Sequence, residues 1–430
     1  MCVWGTLFAA ATAPLAAMEP AAATTKAAPP GTAGPGLPAA GDAAALAQQA
    51  AAAVDEPTHT VRRHYMWSNE RRHDLFFADL ARLGGGYLGV GGDQNYTMAA
   101  AAQAQVLWLV DLDAAVVRMH RLYAALLTAA KTPAEFIALF DPPQQPAVER
   151  AVAAYYPTLD EAERRAILAV YHAYREDLSL HLHKTAEYRW AGRAVTWLGD
   201  PALFEHIRKL AAARLLVPRH GDLTGPTTMQ AIAQAARTAG VPMHVLYLSN
   251  AESWFRYGQK FRQNLDALPF DDRALVLRTV KSEQLTYPHG DIWHYSIQRA
   301  AHFTEHLRGR GYESIDVAML DAPPCYRNSR HPGPECSVRG LSHIGFPPRG
   351  PAAPDAVATA APDGEDPRLA RDRRLERRRE RELREQREQL LAAGLVTRPE
   401  GNREKARLMD RDREKRAEAA LGPSLARAPH

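Results

Sequence analysis

Cysteine is scarce in this chain, with three in 430 residues, too few for a disulfide framework. Cys325 and Cys336 flank a Pro-rich loop, where they read either as a pair in an oxidising compartment or as two free thiols. No apolar run approaches the ~20 residues that cross a membrane as a helix. An excess of one charge sign is also missing. The formal net charge is +4, which argues against nucleic acid as a partner of the whole chain. Basic residues are absent before Lys26. The apolar, Ala-rich stretch 2–17 therefore has the core and the Ala16-Ala17 cleavage-like end of a signal peptide without its charged start. A mis-assigned start on an exported protein and a low-complexity tail on a cytoplasmic one both produce this pattern.

Large apolar side chains are nearly missing from 18–58, which is built of Ala, Pro, Gly and Thr. Such a segment cannot bury enough surface to offset chain entropy, so 1–58 reads as a signal-like segment and a disordered linker. Aromatic residues concentrate in the middle of the chain, and we place one α/β domain over 59–322. A Pro-rich loop and linker follow over 323–363, and a charged tail over 364–430. In Arg371–Leu390, 15 of 20 residues are Asp, Glu or Arg, with signs alternating and Glu380–Arg384 as a favourable i,i+4 pair. This tail reads first as a solvated helix and second as an arm for a partner. Nucleic acid is the weaker choice of partner, because phosphate binding needs net positive charge.

Within the domain, Trp67-Ser68-Asn69-Glu70 has the form of a capped helix start. Leu75, Phe76, Ala78, Leu80 and Leu83 follow at roughly helical spacing. A strand–helix alternation begins at Gly86. Strand one covers about 86–90, and its glycines lead into a helix over about 94–104. Strand two, 106–111, ends in Asp111, and the next helix starts at Asp113. From about 131 to 212 the pattern is helical throughout, which marks an insertion or lid. The alternation resumes at Leu215-Leu216-Val217, then a helix over 226–238 closed by Gly240 and a strand at Met243–Leu248. Further strands are expected at 274–280, 292–297 and 315–320, with a helix over 299–309. Repeated units of this size predict an α/β, Rossmann-like, doubly wound and mainly parallel sheet, with a helical insertion between strands two and three.

Glycines at a strand–helix turn let backbone approach a ligand, the helix N-terminus offers N–H groups, and an acid after the next strand can hold a ribose. The dinucleotide fingerprint G-x-G-x-x-G fails here, because Gln94 occupies its third glycine position. A P-loop fails too, since no Gly-Lys-Ser/Thr follows. The arrangement resembles the class I S-adenosylmethionine-dependent methyltransferases. Gly89 and Gly91 match that family's glycine turn, and Asp111 its ribose-binding acid. Asp222 matches the position after strand three near the adenine, and Ser249-Asn250 the strand-four motif facing the substrate. Tyr87 stands where the family carries an acid, and Asp93 where it carries a third glycine. More narrowly, the chain resembles an uncharacterised bacterial family of methyltransferase-like hypothetical proteins. The shared motifs are Trp67-Ser68-Asn69-Glu70, Tyr87-Leu88-Gly89-Val90-Gly91-Gly92-Asp93-Gln94-Asn95, Val110-Asp111, Gly221-Asp222-Leu223-Thr224-Gly225 and Tyr247-Leu248-Ser249-Asn250-Ala251-Glu252.

The resemblance implies S-adenosylmethionine as cofactor and an unknown methyl acceptor. Gly89, Gly91, Asp93, Asn95, Asp111 and Asp222 are then the cofactor-binding candidates. Acids near strand ends also have the right sign for a cationic sulfonium. Methyl transfer needs alignment more than acid/base chemistry, so Asn250 would orient the acceptor and Glu70 or Glu252 would take a proton. Plainer roles exist for each: helix caps for Asn69 and Asn250, a strand-end turn for Asp111, core packing for Trp254, Phe255 and Tyr257. A second class is a non-catalytic binding or envelope-associated module on a degenerate fold, which Tyr87 and an exported N-terminus favour. A remote third is a zinc hydrolase through His302-Phe303-Thr304-Glu305-His306. Its third ligand, normally a downstream Glu, would fall in the Pro-rich loop or the charged tail, a poor place for a rigid ligand; His289 and His294 lie nearby, and no metal is expected.

Overall fold

The computed structural model describes Asp55 and residues 65–281, 285–320 and 338–346. The signal-like segment, the Cys325/Cys336 loop, the charged tail and all of the linker except Asp55 lie outside these residues. Seven strands form the central sheet: β1 (Gly86–Val90), β2 (Val106–Asp111), β5 (Leu216–His220), β6 (Met243–Ser249), β7 (Leu275–Val280), β8 (His294–Arg299) and β9 (Leu341–Ile344). Their order is β5-β2-β1-β6-β7-β8-β9. The first five are parallel, β8 runs antiparallel to β7, and β9 pairs parallel with β8. This is the Rossmann-like arrangement expected from the strand–helix alternation. Every residue of β1 and all but the last of β2 are buried. Continuous apolar runs of this kind suit parallel strands covered on both faces.

The glycine turn leads from β1 into α2 (Gln94–Ala101), which follows the short α1 (Phe77–Leu80). After β2, Asp113 caps α3 (Ala114–Ala129) by accepting from Ala115 N–H at 2.8 Å. The insertion consists of α4 (Pro133–Ala138), α5 (Gln145–Tyr155), α6 (Glu161–Glu187) and α7 (Pro201–Ala212). It also holds a two-stranded hairpin, β3 (Arg189–Trp190) and β4 (Arg193–Ala194), which the helical pattern does not announce. α5, α6 and α7 pack on α3, and Trp197 of the insertion meets Phe136, Phe204 and Tyr96 edge-on or stacked. The insertion thus shares the hydrophobic core of the sheet. A second helix group comprises α8 (Thr228–Thr238), α9 (Gln259–Ala267) and α10 (Ala300–Arg308).

Three expectations are corrected. Residues 315–320 form a helix, α11 (Ile315–Leu320), not a strand. The last strand is β9, inside the stretch read as a Pro-rich loop. No helix starts at Ser68 or Asn69; a 3-10 turn at His73–Phe76 runs into α1 instead. Ser68 Oγ accepts from Glu70 N–H at 2.9 Å, so its capping chemistry is used in a turn.

Candidate functional site

The strand order reverses between β1 and β6, and the crevice outside the carboxyl ends of strands at such a point is where open α/β sheets bind ligands. On the β1 side stands the glycine turn. Gly91 has φ +84°, which an L side chain adopts only with strain. Its N–H donates to Asp111 Oδ2 at 3.1 Å, while Asp111 Oδ1 accepts from Asp113 N–H at 2.9 Å. Burial of this carboxylate raises it to about 7; the charge of Asp113 adds to the rise, and hydrogen bonds from the Asp113, Gly91 and Leu112 N–H groups oppose it. Asn95 is fully buried and folds back on the turn. Its amide donates to the Val90 and Gly92 carbonyls at 2.9 and 2.8 Å, and its Oδ1 accepts from Tyr87 OH at 3.0 Å. A Cβ on Gly89 would lie 2.0 Å from Asn95 Oδ1. The Tyr87 ring would lie 2.7 Å from the same Cβ, so Gly89 is required by the packing of Asn95 and Tyr87 together, and Tyr87 does structural work in place of an acid.

His120 of α3, which the sequence reading passed over, holds the turn from below. Its Nε2 donates to the Gly91 carbonyl at 2.8 Å, so Nδ1 accepts from Tyr96 OH at 2.8 Å. Burial lowers its pKa to about 4, which keeps the ring neutral. The only sequence signal for it was a histidine on the apolar stripe of α3. Asp93 points away from the crevice into the insertion. His181 Nε2 and Trp197 Nε1 donate to its two oxygens at 2.8 and 3.0 Å. Burial pushes Asp93 up, but the charge and hydrogen bonds of His181 and Trp197 hold it below its ordinary value.

Across the crevice lies the segment before α1. A Cβ on Gly92 would meet the Met66 carbonyl at 2.8 Å, so this segment covers the turn. Trp67 stacks on His181 at 5.4 Å, and Asn69 Oδ1 accepts from Trp293 Nε1 at 3.1 Å. Arg71 N–H donates to Asp291 at 2.8 Å, and Arg72 N–H to Tyr295 OH at 2.8 Å. In the middle sits Glu70, buried at 7 % exposure. Ser249 Oγ donates to Glu70 Oε1 at 2.6 Å, Thr279 Oγ1 donates to the same oxygen, and Tyr247 OH donates to Oε2. His73 Nε2 is 3.0 Å from Oε2. Burial alone would raise the Glu70 carboxylate; the hydrogen bond and charge of His73, then Ser249 and Thr279, carry it down to about 2. Ser249 reaches it from φ +49°, a sparsely populated conformation for a residue with a side chain.

The remaining candidates divide. Glu252 is buried in an ion pair with Arg278, at 2.6 Å, and accepts from Tyr257 OH at 2.6 Å. Asp222 Oδ1 accepts from the Thr224 N–H and hydroxyl, both at 2.7 Å, in a local turn. Asn250 stands at the N-cap position of a 3-10 turn, Ala251–Trp254, but its side chain makes no capping bond, and its side-chain amide makes no hydrogen bond among the described residues. On α10, His302 and His306 stack at 4.0 Å, and His306 Nδ1 donates to the His302 carbonyl. Among the described residues, no group of three potential ligands that could hold a metal gathers there or elsewhere. Two clefts, of about 480 and 320 Å³, are lined by Pro226, Gln230 and Lys260 and by Pro133, Ile137 and His183, away from the switch point.

Fold and site thus define a Rossmann-like α/β protein whose switch point is flanked by a glycine turn and crossed by a buried carboxylate. Residues 65–344 match the family model described as Domain of unknown function (DUF7790), and the chain belongs to that family. No curated protein matches it.

Proposed function

We propose that the protein binds S-adenosylmethionine at the carboxyl ends of β1 and β2 and transfers its methyl group to an acceptor lying toward β6. The observation that carries this reading is a set of unengaged polar groups around the switch point. The N–H groups of Gly92, Asp93 and Gln94, at the start of α2, have no partner among the described residues. Gln94 Oε1 is buried without a partner among the described residues, an uncommon state for a native polar atom. Asn250 adds an amide on the far side. When bound, the cofactor would supply an electrophilic methyl group. The α2 N-terminus suits its carboxylate, Asp111 its ribose hydroxyls, and Asn250 would orient the acceptor. The donor chemistry fits. Glu70 does not serve as a base in this scheme, since its oxygens are already filled, and Glu252 is held by Arg278.

One observation favours the second class, a non-catalytic binding module. The segment carrying Met66 and Glu70 covers the glycine turn and braces β6 and β7 across the crevice. Calorimetric titration with S-adenosylmethionine and its demethylated product tests both. The wild type should bind, and Asp111→Ala should bind about tenfold more weakly, as expected for losing the ribose hydrogen bonds. No heat with the wild type would remove the cofactor. Equal binding by the two proteins would remove Asp111 from the ribose. Binding without methyl consumption in the presence of cell extract would favour the module.

A further inference from the structure

We propose that the loop Gly221–Thr228 is an anion cradle, filled by the chain's own Asp55 and open to a phosphate group when Asp55 leaves. The proposal is independent of the methyltransferase reading. The cradle stands at the carboxyl end of β5, next to Asp111, whose carbonyl accepts from Gly221 N–H at 3.0 Å. Its donors are backbone N–H groups of the loop and of the start of the eleven-residue α8. Thr227 N–H donates to Asp55 Oδ1 at 2.8 Å, and Asp222 N–H and Thr228 N–H donate to Oδ2 at 3.1 and 3.3 Å. Asp55 N–H in turn donates to Thr228 Oγ1 at 3.1 Å.

The occupant is what makes this more than a helix end. A carboxylate from 167 residues away in sequence is seated in the cradle at 5 % exposure. Burial raises that carboxylate, and the Asp222, Thr227 and Thr228 donors more than reverse the rise. The cradle is also built around its anion. A Cβ on Gly225 would lie 2.5 Å from Asp55 Cγ, so only glycine leaves room there. From behind, Asn264 of α9, at 1 % exposure, donates to the Leu223 and Gly225 carbonyls at 2.9 and 2.8 Å. Gln230 fixes Asn264 in turn at 2.9 Å. Carbonyls are thereby engaged on one side and N–H groups converge on the other. Convergent N–H groups with a helix dipole behind them accept phosphate as readily as carboxylate. Because Asp55 is tethered, it competes with any free anion and weakens its apparent affinity by the fraction of time the cradle is filled.

Hydrogen exchange on the full chain, with inorganic phosphate as probe, tests this. In the wild type the amides of Asp222, Thr227 and Thr228 should exchange slowly and ignore phosphate. In Asp55→Ala they should exchange faster, and phosphate should restore protection with an apparent affinity at least about tenfold above the wild type. Asp55→Asn, which keeps the shape and removes the charge, is read in the same way if the alanine variant loses its cooperative melt. Exchange that phosphate leaves unchanged in the variants, or equal phosphate binding by wild type and variant, overturns the proposal.

Discussion

Glu70 has about four acceptor positions, and His73, Tyr247, Ser249 and Thr279 occupy them. Such a carboxylate has a folded pKa of about 2, below its ordinary 4.5. A depressed acid contributes stability that is complete above the ordinary value and is lost as pH falls toward the folded one. The difference corresponds to about 3 kcal/mol at neutral pH. Glu70→Gln should therefore lower stability by roughly 2–4 kcal/mol at pH 7, because it leaves donors without a charged acceptor. Between pH 6 and 3 its stability should fall less steeply than the wild type's. Urea denaturation across that range reads both, and parallel slopes for the two proteins would remove Glu70 as the source. The motif containing Glu70 was visible in the sequence, but its role was not. His73 is three residues away, but the other three partners come from strands far along the chain, and nothing near Glu70 in sequence announces them.

The turn from β1 to α2 shows the same division at the level of an element. Gly89, Gly91 and Gly92 between an apolar run and helix formers were enough to predict it. The reason for Gly89 was not legible, because Asn95 meets it only after α2 has formed and Tyr87 has oriented the amide. A double-mutant cycle isolates this contact. Gly89→Ala should cost about 1–3 kcal/mol by overpacking, and less when Asn95→Ala has already removed the clashing oxygen, with the Tyr87 ring contact left. Additive costs in thermal melts would show that Gly89 is needed for some other reason. Strand ends were harder to read. The strand expected at 292–297 lies at His294–Arg299, and its reversed direction follows from pairing with β7. Residues 315–320 misled because a short apolar run does not separate strand from helix. β9 is four residues between glycines, and it is a strand only because β8 offers an edge.

For the whole molecule, the helical insertion was legible from its periodicity, and its attachment was not. Asp93 joins the glycine turn to α6 and to Trp197 through His181 and the indole N–H. Asp93→Asn should cost roughly 1–3 kcal/mol and speed hydrogen exchange in α6 around His181 more than in β7 or β8. Uniform acceleration across the chain would mean that insertion and sheet open as one unit. The brace at Glu70 also has a meaning for biosynthesis. Glu70 and Thr279 are 209 residues apart in sequence. At about 5–20 residues per second, a ribosome needs on the order of ten to forty seconds to supply the second after the first. Throughout that interval Glu70 lacks the last of its four partners. Completion of the brace thus waits on β7 rather than on the segment that carries Glu70.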